Sequence, residues 1–255
     1  MTIHLPELSG LILVYLLVFA RTGAMVMLLP AIGETSVPPL VRLVLALAIS
    51  IALAPTVASN YPHVAPQNTL ALGLLIAQEV TAGILIGTMS RIIMSALQVA
   101  GTLIATQTGL AYAQTVDPTS QGEQSAIVGN FFSMLGVVLI FATNLHHLAI
   151  GAVAGSYHLI PPGGALPTGD MAEMTIRLVS GSFALGFQLA APFLVFGFAL
   201  SVGLGVLARL MPQLQIYMVA MPANILVGFV LMALILGSLM TLFLNYYTGQ
   251  MGNFL

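Results

Sequence analysis

The chain has 255 residues, of which 59% are hydrophobic and only 5% charged, with a formal net charge of -2. Mean hydropathy is +1.07, whereas a soluble domain carries about 25% charged residues, so the composition is that of an integral membrane protein. It contains no Cys, which excludes a disulfide framework, thiolate chemistry and zinc-cysteine sites, and no basic cluster of the kind nucleic acid requires.

Apolar runs long enough to cross a bilayer, roughly 20 residues each, predict six spans. In chain order they are about Leu8–Leu29, Leu40–Val57, Leu70–Ile93, Ala126–Leu145, Leu178–Leu207 and Ile216–Leu244. Met1 to Glu7 lacks a basic start, and the run after it is too long for a signal-peptide core. The third span is expected to continue as helix through Leu97 and Ile104. The fifth and sixth also exceed membrane thickness, so they must tilt, bend or project. Pro30 and Pro55 fall at span ends, where proline costs little, while Pro192 and Pro222 fall inside spans and predict kinks or breaks. The fold class is therefore all-α: about six long apolar helices packed as hairpins, some kinked or broken, in a single domain over 1–255.

Small residues four apart recur at Gly83 and Gly87, Gly151 and Gly155, and Gly197 and Ser201. Such pairs let helix backbones approach closely and read as packing faces. Ionisable residues also occur within the spans: Arg21 in the first, Glu79 in the third and Arg91 near the end of that third span. Each costs about 2.5–3.5 kcal/mol near a bilayer centre, so each should face protein or water. Glu79 and Arg91 are not a pair within one helix, since twelve residues place them roughly 18 Å and about a third of a turn apart. Each is expected to find its partner on another helix or another subunit, as packing glue rather than as a proton or ion relay.

Between the third and fourth spans, Thr106 to Ser125 reads TQTGLAYAQTVDPTSQGEQS, a polar stretch in an otherwise apolar chain. Gly109 and Gly122 supply backbone freedom and Asp117-Pro118 forms a turn. Leu110, Tyr112 and Val116 offer a few apolar contacts. Read by itself, such a stretch is also an ordinary solvent-exposed connection. The fourth span ends in the polar cluster Asn144-Leu145-His146-His147. Adjacent histidines on a helix point about 100° apart and cannot grip one metal as an i, i+4 pair does. No nucleophile–base–orienter set is visible, so neither a metal, a cofactor nor an enzymatic role is expected. Arg209-Leu210-Met211-Pro212-Gln213 joins the last two spans, an isolated arginine beside a proline-fixed turn suited to docking a partner through Arg209, Pro212 and Gln213.

Three groups of residues carry a family resemblance. The first is Gln98-Val99-Ala100-Gly101, followed by Gln107-Thr108-Gly109-Leu110-Ala111 and Val116-Asp117-Pro118. The second is Asn144-Leu145-His146-His147, followed by Ser156-Tyr157. The third is Pro192, then Gly205 to Gln213, then Met221-Pro222 and Gly228. In this order and spacing the chain resembles the FliR family of export-gate subunits, which serve flagellar type III secretion and its injectisome relatives. It departs from the family pattern at Leu110, where Phe is common, at Leu145, where Gly is common, and at Gln215 and Tyr217.

The resemblance implies a non-enzymatic subunit of a multi-pass assembly in the bacterial inner membrane, at the flagellar basal body. Its implied partners are FliP-, FliQ- and FlhB-like subunits, membrane lipid, and unfolded flagellar proteins in transit. It also implies that the loop near residues 109–124 lies in the closed gate, so Gly109, Leu110, Tyr112, Val116, Asp117 and Pro118 are its candidate plug. Arg21, Glu79, Arg91, Asn144, His146 and His147 are candidate polar assembly residues. The competing reading is a secondary transporter or proton channel that uses Glu79 and Arg91, a class in which broken helices are common.

Overall fold

The computed structural model describes residues 5–34, 37–61, 68–111, 127–213 and 215–254, with side chains from Gly10 onward. Among these residues there are seven α-helices and no strand. They are α1 (Leu5–Leu28), α2 (Pro39–Val57), α3 (Thr69–Gln107), α4 (Ile127–Ala142), α5 (His146–Leu159), α6 (Thr168–Leu210) and α7 (Ile216–Gly252), with a short 3-10 turn at Ala58–Asn60 after α2. Helix is the form in which an apolar chain satisfies its own backbone groups where no water can do so. Local signals set the ends. Pro39 opens α2 in the first turn, where a missing N–H is harmless. The Asn68 side chain accepts the Leu70 N–H at 3.3 Å and starts α3. Asp170 in the first turn of α6 and Arg209 in its last turn complement the helix dipole.

The protein is a polytopic helical membrane protein. Five helices are long and apolar enough to cross a membrane, or six spans if the bent pair α4 and α5 counts as one. Helices α3, α6 and α7, with 39, 43 and 37 residues, outrun a hydrocarbon layer about 30 Å thick at about 1.5 Å per residue. The outward faces are apolar, as at Leu43, Val44, Leu47 and Ile51 on α2 and Val195, Phe198, Val202 and Val206 on α6. Water does not tolerate so large a surface of this kind.

One sequence-based expectation fails and another is narrowed. The fourth span is not one helix over Ala126–Leu145: α4 ends at Ala142 and α5 departs at 75°. The cause is Asn144, whose φ of +60° is left-handed backbone that asparagine tolerates better than most residues. Its N–H donates to Phe141 O at 3.2 Å and the Leu145 N–H reaches back to Ile140 O at 2.9 Å. That is the double bond of a Schellman helix stop, with asparagine in the usual glycine position. Conversely, α6 and α7 run without a break through Pro192 and Pro222. A proline removes one donor from the ladder, and helices this long keep their bonds on either side of it.

The chain forms two compact units. One comprises Met1–Ile92, Ile140–Val179 and Tyr247–Leu255; the other comprises Ile93–Leu139 and Ser180–Tyr246. In the first, Thr22 on α1 and Ser50 on α2 share a hydroxyl–hydroxyl bond of 2.6 Å. Gly83 and Gly87 form a close-approach face between α3 and α1. A Cβ on Gly83 would collide with the carbonyl oxygen of Arg21, and one on Gly87 would lie 2.6 Å from Leu28 Cβ. In the second unit, α3 and α4 touch backbone to backbone where Gly101 meets Gly129, around a core of Leu97, Ile104, Phe132, Leu189, Phe193 and Phe243. Of the other expected small pairs, Gly197 lies against the Gln107 side chain, Ser201 is exposed, and Gly151 and Gly155 are half-buried.

The Gly83 contact makes a direct prediction. Gly83→Val should force α1 and α3 apart and cost about 1–3 kcal/mol, whereas Gly73→Val, with open space around Gly73, should cost far less. Thermal unfolding midpoints of the two variants in detergent check the difference.

Candidate functional site

The polar groups of the first unit converge on Arg21. Both Arg21 and Glu79 are 0% exposed. Arg21 Nε donates to Glu79 Oε2 at 2.7 Å and Nη2 to Oε1 at 3.2 Å, a two-pronged pair between α1 and α3. Nη1 donates to Ser156 Oγ at 2.9 Å, and Nη2 also to the Ile160 carbonyl at 3.0 Å, which brings in the end of α5. The guanidinium lies 3.8 Å over the Tyr157 ring, a favourable seat for a cation on an aromatic face. The Tyr157 hydroxyl is 3.1 Å from that of Tyr61, which follows α2. Burial first, and then the carboxylate of Glu79, push the Tyr61 phenol far above its usual range, so it stays neutral. Beside Glu79, Gln78 donates to Pro161 O at 2.9 Å and accepts the Gly163 N–H at 3.1 Å, fixing the turn between α5 and α6.

Glu79 therefore has its partner in its own chain, and all three guanidinium nitrogens of Arg21 are engaged. Arg91 is held elsewhere. Its side chain is exposed, in keeping with a charge that faces protein or water, and donates to Leu28 O at 2.7 Å and Gly33 O at 3.4 Å. It caps the carbonyl end of α1, where a cation suits the helix dipole. Glu79 and Arg91 are thus tied to different parts of α1 and make no bond to each other.

The second unit holds the root of the polar stretch. Thr106 and Gln107 are the last residues of α3, and Gly109 follows at φ +78°, left-handed backbone that a glycine adopts without strain. The Gln107 side chain fills the space beside Gly197 on α6. The methyl of Thr108 packs on Gly228 of α7, where an added Cβ would come within 2.5 Å of Thr108 Cγ2. Asn224 of α7 donates from Nδ2 to the Gln107 carbonyl at 3.3 Å. Leu110 is half-buried. Tyr112, Val116, Asp117, Pro118 and Gly122 lie outside the described residues.

At the break between α4 and α5, the Asn144 side chain is exposed. His146 stacks on Phe141 with ring centroids 5.0 Å apart, and His147 meets His146 edge-on at 4.2 Å. His146 Nδ1 is buried without a bond. No group of three or more potential metal ligands occurs among the described residues. Arg209, Pro212 and Gln213 are exposed at the junction of α6 and α7.

The family "Bacterial export proteins, family 1" matches residues 12–249. The chain belongs to this family. It is 40% identical to the flagellar biosynthetic protein FliR of Caulobacter vibrioides, over 91% of both chains. It is 32% identical to the FliR protein of Escherichia coli K12, over 84% of this chain and 80% of that one. It is 26% identical to the Yop proteins translocation protein T of Yersinia pestis, over 83% of this chain and 81% of that one.

Within this export protein, sequence reasoning singled out Arg21 and Glu79 but did not join them. It missed Gln78, Tyr61 and Asn224 as anchors. A signal existed for Asn224, an amide in the middle of an apolar run, the same cue that flagged Glu79. Tyr61 gave none, because a tyrosine at a span end is an ordinary interfacial residue.

Removing one member of the buried pair should leave the other charge stranded. Glu79→Leu should cost about 3–5 kcal/mol, and Arg21→Met combined with Glu79→Leu should recover much of that loss. Thermal unfolding of the single and double variants in detergent, at matched expression, checks the sign of the recovery.

Proposed function

We propose that this chain is a non-enzymatic subunit of a flagellar type III export gate in the bacterial inner membrane. With FliP- and FliQ-like subunits, and an FlhB-like partner beside them, it forms the pore through which unfolded flagellar proteins leave the cell. The near full-length similarity to flagellar biosynthetic proteins carries this reading, and the 40% identity to the Caulobacter vibrioides FliR protein, against 26% to the Yop translocation relative, favours flagellar over injectisome service. The closed bonding of Arg21 and Glu79 supports it against a transporter, since a relay needs a group that can change partners. The apolar outer faces of α6 and α7 suit lateral contact with other helices as well as lipid. If the reading holds, a tagged chain extracted in mild detergent brings FliP- and FliQ-like subunits with it, and cells without the chain export no filament protein. Recovery of the chain only as a stable homo-oligomer would refute it.

The segment from Gly109 to Gln124 is the candidate closure of that pore. An opening wide enough for an unfolded chain leaks ions unless it is shut at rest. A few small apolar contacts, at roughly 25 cal/mol per Å² buried, seal weakly enough for an arriving substrate to displace them. Deleting Leu110 to Val116 should permit assembly but make membranes leaky to ions and small solutes. Conductance measurements on the assembled deletion decide this, and a tight membrane at normal complex yield would assign closure to other residues.

Arg209, Pro212 and Gln213 form the candidate docking turn. Arg209→Ala should lower recovery of FliP- or FlhB-like partners by severalfold in co-purification, in line with an exposed charge that gains a desolvated partner. Unchanged recovery together with full motility would remove the assignment.

A further inference from the structure

The C-terminal turn of α3 leaves four carbonyls in need of donors, as every helix does. Three are met locally. Ile104 O accepts the Thr108 N–H at 2.9 Å and the Thr108 hydroxyl at 2.9 Å. Ala105 O receives the same hydroxyl at 3.4 Å, and Thr106 O the Gly109 N–H at 3.4 Å. The fourth, on Gln107, is met from another helix by Asn224 Nδ2.

The surroundings of that bond are shaped for it. Asn224 and Gly228 stand one turn apart on α7 and so share a face. Gly228 admits the Thr108 methyl, and Asn224 reaches the carbonyl just before it. Gly109 turns the chain at φ +78°, and a Cβ there would lie 3.4 Å from Asn224 Nδ2. Asn224 Oδ1 is buried without a bond. An amide with one half unsatisfied is a costly way to fill space in an apolar helix, so packing alone does not explain its presence.

We propose that Asn224 is a cap for α3 supplied by α7, a positioning residue that sets the direction in which the chain leaves α3 at Gly109. The cap itself is independent of what the following segment does. Its consequence for the resting gate rests on the closure reading given above, because a segment that seals a pore needs a fixed root.

Two measurements on the assembled complex separate these levels. Asn224→Leu nearly keeps the shape and removes the donor without adding a charge. It should leave complex yield unchanged and speed backbone hydrogen exchange over Ile104–Gly109 by about five- to tenfold, the scale of one lost hydrogen bond. Asn224→His keeps an N–H at similar reach and should return exchange toward the wild-type rate. Ionic leak of membranes carrying Asn224→Leu should rise at rest. Exchange equal to wild type in Asn224→Leu overturns the cap, whatever the leak. Faster exchange with a tight membrane upholds the cap and counts against closure by the segment that follows it.

Discussion

Burying a guanidinium and a carboxylate is the constraint to which one half of this molecule is fitted. Neither charge survives in an apolar interior alone, and the attraction between them repays desolvation only when geometry is good and the remaining donors are used. Arg21 meets both conditions by drawing on two other helices: the Glu79 carboxylate from α3, and the Ser156 hydroxyl and Ile160 carbonyl from α5 and its end. The Tyr157 ring closes one face of the guanidinium plane, and Tyr61 is bonded to Tyr157 in turn. Shifting any of these elements leaves a charge or a donor without its partner. The cluster therefore selects one arrangement of helices among the many that apolar packing alone would tolerate.

Close backbone approach makes that arrangement reachable. The faces of Gly83 and Gly87 bring α3 against α1, which is what allows a side chain from each to meet within hydrogen-bonding distance. In the second unit the meeting of Gly101 and Gly129 does the same for α3 and α4, the helices that flank the polar segment. With lipid as apolar as the side chains themselves, helix association depends on fit and on polar bonds rather than on expulsion of water. Glycine faces supply the fit. Arg21, Gln78 and Asn224 supply the bonds.

Charge is used sparingly and at ends. Arg91 caps the carbonyl end of α1, Arg42 binds the Val37 carbonyl at 2.8 Å just before α2, and Arg209 occupies the last turn of α6. Arg177 pairs with Glu173 one turn earlier on the exposed side of α6, a contact worth little to stability. Among the described residues, only the Arg21–Glu79 pair is spent in the interior. This economy suits apolar helix faces, because few charges remain to be desolvated when helices meet.

The sequence by itself determined the membrane class, the helical fold, the positions of most spans and the family. Those follow from composition, run length and ordered motifs, which are properties of the chain read along its length. It also marked Arg21, Glu79 and Asn144 as unusual, because each breaks a local rule about what an apolar helix contains. What it could not give was who pairs with whom. Glu79 lies 58 positions from Arg21 and Asn224 lies 117 from Gln107, and no periodicity within one helix encodes a distance between two. The bend at Asn144 was hidden for a related reason: a left-handed stop needs a residue that tolerates it, which is visible, but also the tertiary setting that makes stopping better than continuing. The same setting decided in the opposite sense at Pro192 and Pro222, where a residue that breaks helices in isolation is carried inside long ones.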